Sequence, residues 1–268
     1  MFAPYTDTTL WPTFDISLVN RVHDFTLGFV VADHDLEPSW GGYYPVASDF
    51  YSDIISRVKK NKGRLICSFG GADGDELATV IDRSNDIFAA YDKVIKKYNF
   101  KYIDFDIEGP ALYNIEANKK RATAIRNLKR KYKGLHVSLT VPVMPYGLEK
   151  DALDLISKTP HDLVNIMAMN FGNEANMYRA VVDAIKSTRK QINDDLGVTV
   201  MIGKNDTTET FTLSDAKKLA QFVVENPFIK RVSFWSLERD RGVGGGLAFS
   251  SKVDQAPWEF SKLFNKIY

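Results

Sequence analysis

The sequence predicts an α/β protein, a single (β/α)8 TIM-type barrel spanning residues 1–268. Three observations carry that expectation. Eight short apolar or β-branched runs alternate with eight amphipathic stretches. Strands separated by helices pair in parallel through crossover connections. Eight such units fit within about 250 residues, the usual length of a closed barrel. A doubly wound open sheet is the alternative, because the first run has only four residues. No Pro/Ser/Gly-rich linker divides the chain, and the glycine cluster Gly242–Gly246 lies too near the end to separate domains.

In order, the strand-like runs are Phe2–Tyr5 (the weakest), Phe25–Val31, Arg64–Gly70, Tyr102–Glu108, Leu135–Val143, Leu163–Phe171, Val198–Gly203 and Arg231–Leu237. The helical stretches are about Ile16–Val22, Asp49–Lys60, Glu76–Tyr98, Asn114–Tyr132, Glu149–Lys158, Ala175–Asn193, Ser214–Glu225 and Pro257–Lys266. Ser214, followed by Asp215, suits an N-cap. Pro257 suits a first helical turn. A barrel places its chemistry at the C-terminal ends of its strands.

Composition removes several classes of function. The 268 residues carry 35 Lys and Arg against 34 Asp and Glu, a net charge of +1. That balance leaves no basic footprint for nucleic acid. No apolar run approaches the roughly 18 residues of a membrane span. The opening Met1-Phe2-Ala3-Pro4-Tyr5 lacks the basic and apolar regions of a signal peptide. One cysteine, Cys67, excludes an internal disulfide framework and a multi-thiolate metal site. Cys67 reads as a small buried residue facing the helices, and His34 as a solvated loop histidine. The four histidines are scattered, with no metal-ligand spacing. The glycine cluster fails the G-x-G-x-x-G pattern, since Leu247 stands where the last glycine belongs.

The most informative segment is Tyr102-Ile103-Asp104-Phe105-Asp106-Ile107-Glu108. Strand side chains alternate faces, so Ile103, Phe105 and Ile107 face the helices while Asp104, Asp106 and Glu108 point into the barrel. Successive carboxyls on that face stand about 6.5 Å apart by the strand rise. Buried like charges at this range push at least one pKa upward. A carboxyl held protonated near neutral pH is what a general acid needs. Glu108, nearest the barrel mouth, is the candidate acid.

At this point the chain resembles glycoside hydrolase family 18, the chitinases and their relatives. Asp104-x-Asp106-x-Glu108 matches the latter part of that family's D-G-x-D-x-D-x-E signature. Ser68-Phe69-Gly70-Gly71 resembles its S-x-G-G on the preceding strand. Asn165-Ile166-Met167-Ala168-Met169-Asn170-Phe171-Gly172 resembles its sixth-strand segment, and Ser233-Phe234-Trp235-Ser236-Leu237-Glu238 its eighth strand with the platform tryptophan. Phe2-Ala3-Pro4-Tyr5 and Trp40-Gly41-Gly42-Tyr43-Tyr44-Pro45 are similar to a bacterial branch.

The resemblance implies an endo-acting chitinase that retains anomeric configuration by substrate assistance. Glu108 would protonate the glycosidic oxygen and later activate water. Asp106 would orient the substrate's acetamido group, and Asp104 would share a proton with Asp106. The implied ligands are chitin or N-acetylglucosamine oligosaccharides, bound by a monomer without a cofactor. Trp235, Met167, Met169, Asn170 and Phe171 would touch sugar. Ser68 would support the acid row or the substrate. Aromatic residues on loops after strands, namely Trp11, Trp40, Tyr43, Tyr44 and Tyr146, are expected along the cleft. An endo-β-N-acetylglucosaminidase acting on N-glycans and a catalytically weak chitin-binding protein are the alternatives. Chitin lies outside cells, so a catalytic module of a longer secreted protein is expected.

Two departures stand out. Lys101-Tyr102 replaces Asp-Gly at the start of the signature, where the change concerns packing. Asn170-Phe171 replaces Asp-Tyr, removing a negative charge and a hydroxyl, and implies lower activity or an acid-shifted optimum. The connection from Gly203 to Ser214 is about ten residues, too short for the α+β insertion domain of some relatives. A shallow, open cleft follows.

Overall fold

The computed structural model describes residues 1–10, 15, 16, 19 and 22–267. Its strands are β1 (Tyr5–Asp7), β2 (Phe25–Ala32), β3 (Pro38–Trp40), β4 (Tyr44–Pro45), β5 (Leu65–Gly70), β6 (Tyr102–Asp106), β7 (His136–Pro142), β8 (Leu163–Met167), β9 (Leu196–Met201), β10 (Gly203–Lys204), β11 (Thr210–Phe211) and β12 (Ile229–Trp235). Its helices are α1 (Ser52–Lys60), α2 (Leu77–Val80), α3 (Ser84–Tyr98), α4 (Gly109–Tyr113), α5 (Ile115–Lys131), α6 (Lys150–Lys158), α7 (Met177–Gln191), α8 (Leu213–Glu225) and α9 (Glu259–Phe264). The expected helix at Ile16–Val22 and the candidate Trp11 fall largely outside the described residues.

Parallel pairing runs β1–β2–β5–β6–β7–β8–β9–β12. The N-terminal segment also meets the far edge. Phe2 bridges Val232 in parallel, the Ala3 amide donates to Val232 O at 3.0 Å, and the Val232 amide donates to Met1 O at 2.9 Å. Residues 1–7 therefore stand between β2 and β12 and bring the eight parallel strands into a ring. The weak first run was misplaced by a few residues: its ladder lies at Tyr5–Asp7, and Phe2 makes only a bridge.

The outward faces are apolar. Phe69 of β5 and Phe105 of β6 stack at 5.3 Å, and Tyr91 of α3 meets both rings edge-on. Cys67, fully buried, joins this layer. The inward faces are polar instead, with Ser68, Asp104, Ser138, Thr140, Asn165 and Thr199 all buried. Unpaired buried polar groups are costly, so this interior needs a connected hydrogen-bond network, described below.

Several elements differ from expectation for local reasons. The stretch Glu76–Tyr98 breaks at Ile81, whose backbone is extended, and resumes at Ser84. Thr212, not Ser214, caps α8: its hydroxyl accepts from the Asp215 amide while Asp215 accepts from Thr212, a capping box. Trp258 has a positive φ of 66°, so α9 starts at Glu259 rather than at Pro257. An antiparallel pair, β10 and β11, fills the connection after β9, with no larger insertion.

Beneath the β5 loop, Glu76 caps α2 by accepting from the Ala78 amide at 3.0 Å. It also accepts from the Tyr91 hydroxyl and from Arg121 of α5. Both members of the Glu76–Arg121 pair are buried. Removing one partner strands a desolvated charge. Arg121→Met is expected to cost about 3–5 kcal/mol in urea unfolding. Lys119→Ala, which breaks the exposed Lys119–Glu116 pair, should cost under about 1 kcal/mol. Equal costs for the two would contradict this account.

Candidate active site

The site is built from the floor of the barrel upward. Asp104 of β6 is fully buried and accepts from every side. Its donors are the hydroxyls of Tyr5 (3.1 Å), Ser68 (2.8 Å), Thr140 (2.9 Å) and Ser138. The Arg231 guanidinium of β12 adds a contact at 3.2 Å. Arg231 is itself buried and also donates to Ser138 Oγ at 3.0 Å. Asn165 extends the network by donating to Thr140 at 3.0 Å and Thr199 at 2.8 Å. This is an environment of donors, suited to a carboxylate. Both Asp104 oxygens accept from these donors, and no hydrogen bond joins Asp104 to Asp106 among the described residues.

Asp106, one step higher, differs. It is 3% exposed, and its Oδ1 is buried without a hydrogen-bond partner among the described residues. Burial, then the charges of Glu108 and Asp104, push its pKa well above the usual carboxylate range, against a smaller opposing effect of Arg231.

Strand pairing outlasts β6, since the Ile107 amide donates to Thr140 O at 2.9 Å. Glu108 keeps an extended backbone and forms the N-cap of α4. It thus stands at the rim rather than within the strand. Burial raises its pKa from 4.5 to about 7, helped by the charges of Asp73 and Asp206. Asp73 belongs to the loop after β5, and Asp206 to the loop joining β10 to β11.

Above these acids opens a cavity of about 270 Å³. Asp106, Glu108 and Asp206 supply its carboxyls, and Tyr5, Phe29 and Trp235 one wall. Trp235 stacks on Phe29 at 5.7 Å with 14° between the rings. Met144, Met167, Met169 and Met201 line the remainder together with Val143, Thr199 and Asn170. Ala72, Asn170 and Asp206 at its edge are exposed.

The structure therefore brings Asp106, Glu108, Trp235, Met167, Met169 and Asn170 to one cavity, over Asp104. Two expected substrate contacts, Trp40 and Phe171, are corrected, while Ser68 takes up its expected support of the acid row. Trp40 is completely buried, because its antiparallel pairing with Val30 turns the indole onto Tyr51 and Tyr98 under the helices. Phe171 is 8% exposed and packs in the core. Ser68 lies on the barrel floor, bonded to Asp104. Tyr146 is exposed, with its hydroxyl donating to Glu149 away from the cavity lining. Tyr44 stacks on Phe50 at 3.8 Å, and Tyr43 lies exposed on the turn. His34 is solvent-exposed as expected.

Sequence reasoning missed Asp73, Asp206 and Phe29. Asp73 follows the quoted glycine pair by two residues. Asp206 sits in a connection read only for its length. It also alters the expectation for Asn170: the charge absent at that position is present beside it.

A carboxyl pair at the mouth of a parallel barrel, above a third carboxyl ringed by hydrogen-bond donors, is the equipment of a glycosidase. The chain belongs to glycosyl hydrolase family 18, whose model, Glycosyl hydrolases family 18, matches residues 19–218. It is similar to the catalytic domain of a hyperthermophilic chitinase from Pyrococcus furiosus. That likeness has 27% identity and a TM-score of 0.90, over 99% of this chain and 94% of that one. Catalytic-site mutants of active domain 2 of a Pyrococcus furiosus chitinase, complexed with chito-oligosaccharides, superimpose with a TM-score of 0.89 at 27% identity, over 99% and 93% of the chains. A probable bifunctional chitinase/lysozyme of Escherichia coli is 27% identical over 98% of this chain and 34% of its own length. Endochitinase 11 of Metarhizium anisopliae is 27% identical over 90% of this chain and 52% of its own. The chain thus spans about a third and about half of these curated relatives.

The raised pKa of Glu108 carries a stability consequence. Below about pH 4.5 the carboxyl is protonated in both folded and unfolded chains; above about pH 7 folding must desolvate a charge. Glu108→Gln is expected to leave stability unchanged near pH 4 and to raise it by about 3 kcal/mol at pH 8. Denaturant unfolding at the two pH values measures the difference. A gain of equal size at both would contradict the assignment.

Proposed function

We propose that the protein is an endo-acting chitinase that cleaves β-1,4-linked N-acetylglucosamine polymers with retention, using the substrate's own acetamido group as nucleophile. One observation carries this reading: a protonatable Glu108 at the rim shares the cavity with Asp106, whose buried Oδ1 has no hydrogen-bond partner among the described residues. An acetamido N–H is the donor that would satisfy it, and unfilled buried acceptors are costly.

The proton inventory supports the same sequence of steps. Glu108, with a pKa of about 7, carries its proton near neutral pH and donates it to the glycosidic oxygen as that bond breaks. A retaining path then needs a nucleophile. Asp106 is almost wholly buried with its pKa pushed upward by that burial, which weakens it as a nucleophile, and Asp206 is engaged by Asn170. The acetamido carbonyl oxygen, oriented through its N–H by Asp106, closes on the anomeric carbon and forms an oxazolinium. Glu108, now a carboxylate, deprotonates the water that opens that ring. The flat Trp235 face supports the pyranose. A cavity at the small end of the range for ligand sites, with an exposed edge, suits one buried sugar in a chain that continues across the surface. The proposal therefore includes internal cutting of long polymers and, because such polymers lie outside cells, a secreted enzyme.

Glu108→Gln is expected to lower turnover of chitin oligomers about 10²–10⁴-fold. Proton NMR of the first products should show the β-anomer. Oligomers carrying free amines in place of acetamides should not be cut after a deacetylated unit. Inversion, or cleavage after such a unit, would overturn the mechanism.

A further inference from the structure

Two loops at the rim are tied together by hydrogen bonds that do more than close the fold. Asn170 Nδ2 donates to Asp206 Oδ2 at 2.9 Å, and the Asp206 amide donates back to Asn170 Oδ1 at 3.0 Å. The Asn170 amide donates to Asn205 Oδ1 at 3.0 Å, and the Gly172 amide to Glu209 Oε1 at 3.0 Å. Thr208 Oγ1 donates to Gly172 O at 2.9 Å. Asn170 has a φ of +54°, a region where asparagine is enriched among non-glycine residues. Its amide offers a donor and an acceptor at once. An aspartate there would offer acceptors only and would face a second carboxylate.

We propose that Asn170 and Asp206 act as one unit, with Asp206 as a positioning residue that supplies negative charge beside Glu108 and Asn170 as the clamp that holds it there. The proposal rests on Glu108 being the acid. Its substance is that position 170, neutral in this chain, is complemented across the cleft rather than left without a charge.

The charges around Glu108 leave this role open to few groups. Asp106 stands below it on the same strand, Asp73 approaches from the loop after β5, and Asp206 from the loop after β10. The loop after β7 contributes only Pro142, Val143 and Met144 to the cavity. No Lys, Arg or His lines the cavity among the described residues. Arg231 acts on the floor, through Asp104 and Asp106. Arg239 feels Asp206, but its two Nη atoms donate to the carbonyls of Ile202, Lys204 and Leu247 rather than to that carboxylate. Asp206 is the only one of the flanking carboxyls that both lines the cavity and is fixed in place by a side chain from a second loop.

The alkaline limb of the kcat/KM profile reports ionisation of the acid in the free enzyme. Removing a neighbouring negative charge eases that ionisation, so the limb moves to lower pH. Asp206→Asn is expected to move it down by about half to one unit at low salt. Asn170→Ala should give a smaller move in the same direction. The exchanged pair Asn170→Asp/Asp206→Asn, which swaps carboxylate and amide across the same hydrogen bonds, should return the limb toward wild type. Wild type itself should show the limb falling as salt rises to about 1 M. An unmoved limb in Asp206→Asn, with Glu108→Gln inactive, overturns the proposal and leaves the acid in place. An exchanged pair that behaves like Asp206→Asn alone overturns the claim that the two act as a unit. Residual full activity in Glu108→Gln would instead remove the acid assignment. Circular dichroism and Tm of each variant separate these results from misfolding, and the wild-type salt series needs no variant at all.

Discussion

The buried ion pair between Asp104 and Arg231 is the constraint on which the rest of the site depends. Three carboxyls on one face of one strand repel each other, and the interior of a barrel offers little water to screen them. Arg231 crosses the floor from β12 and contacts Asp104 at 3.2 Å, while four hydroxyls complete its shell. The charge at the bottom of the row is thereby neutralised. Nothing comparable neutralises the upper two. Such a pair is expensive to desolvate and hydrophobic replacements often match it in stability. Its value here is a gradient: a carboxyl ringed by donors at the floor, a buried one with an unfilled oxygen at Asp106, and a titratable one at the rim.

That gradient has to be held by loops that do not belong to β6. The loop after β5 carries Asp73 and ends at Glu76, which is locked to Arg121 and Tyr91 on two helices. The segment after β8 is held to the β10–β11 hairpin through Asn170 and Asp206. On the other side, Glu238 accepts from Thr6 at 2.5 Å and from the Asp7 amide at 3.2 Å, joining the end of β12 to β1. The wall formed by Tyr5 and Trp235 rests on that junction. Glu76, Asp206 and Glu238 are thus each held by a buried or reciprocal contact from a neighbouring unit, which keeps the cavity preformed.

What was legible in the chain follows from the range of the interactions. Alternation of strand and helix signals is local, and it yielded the barrel. The period of two along Tyr102–Glu108 is local as well, and it placed the three acids on one face. Trp40 was misjudged because the β2–β3 hairpin that turns it onto Tyr51 and Tyr98 has no strong local turn signature. Phe171 was misjudged because the chain leaves the strand at Met167, and its later residues no longer alternate. Asp206 was missed because its partner is 36 residues away. A short polar connection looks alike whether it carries a functional carboxylate or not. Departures such as Asn170 point to the residue that answers them only when the fold sets both side by side.

The apolar lining completes the electrostatics. Four of the chain's six methionines, Met144, Met167, Met169 and Met201, line a cavity whose floor is acidic. Methionine is flexible and polarisable, so it fits an irregular ligand such as a sugar with a methyl-bearing acetamide. It is also poor at hydrating a carboxylate. Desolvation is the largest cause of the raised pKa at both Asp106 and Glu108, ahead of any single charge. Replacing those walls with polar residues would therefore lower the pKa of Glu108 and leave less of it protonated at neutral pH, even with every carboxyl in place. In the proposed function, a sugar ring on Trp235 would extend the same effect by displacing remaining water. The charges set the order in which the carboxyls give up their protons, while the thioether and aromatic walls determine how far above the usual range that order lies.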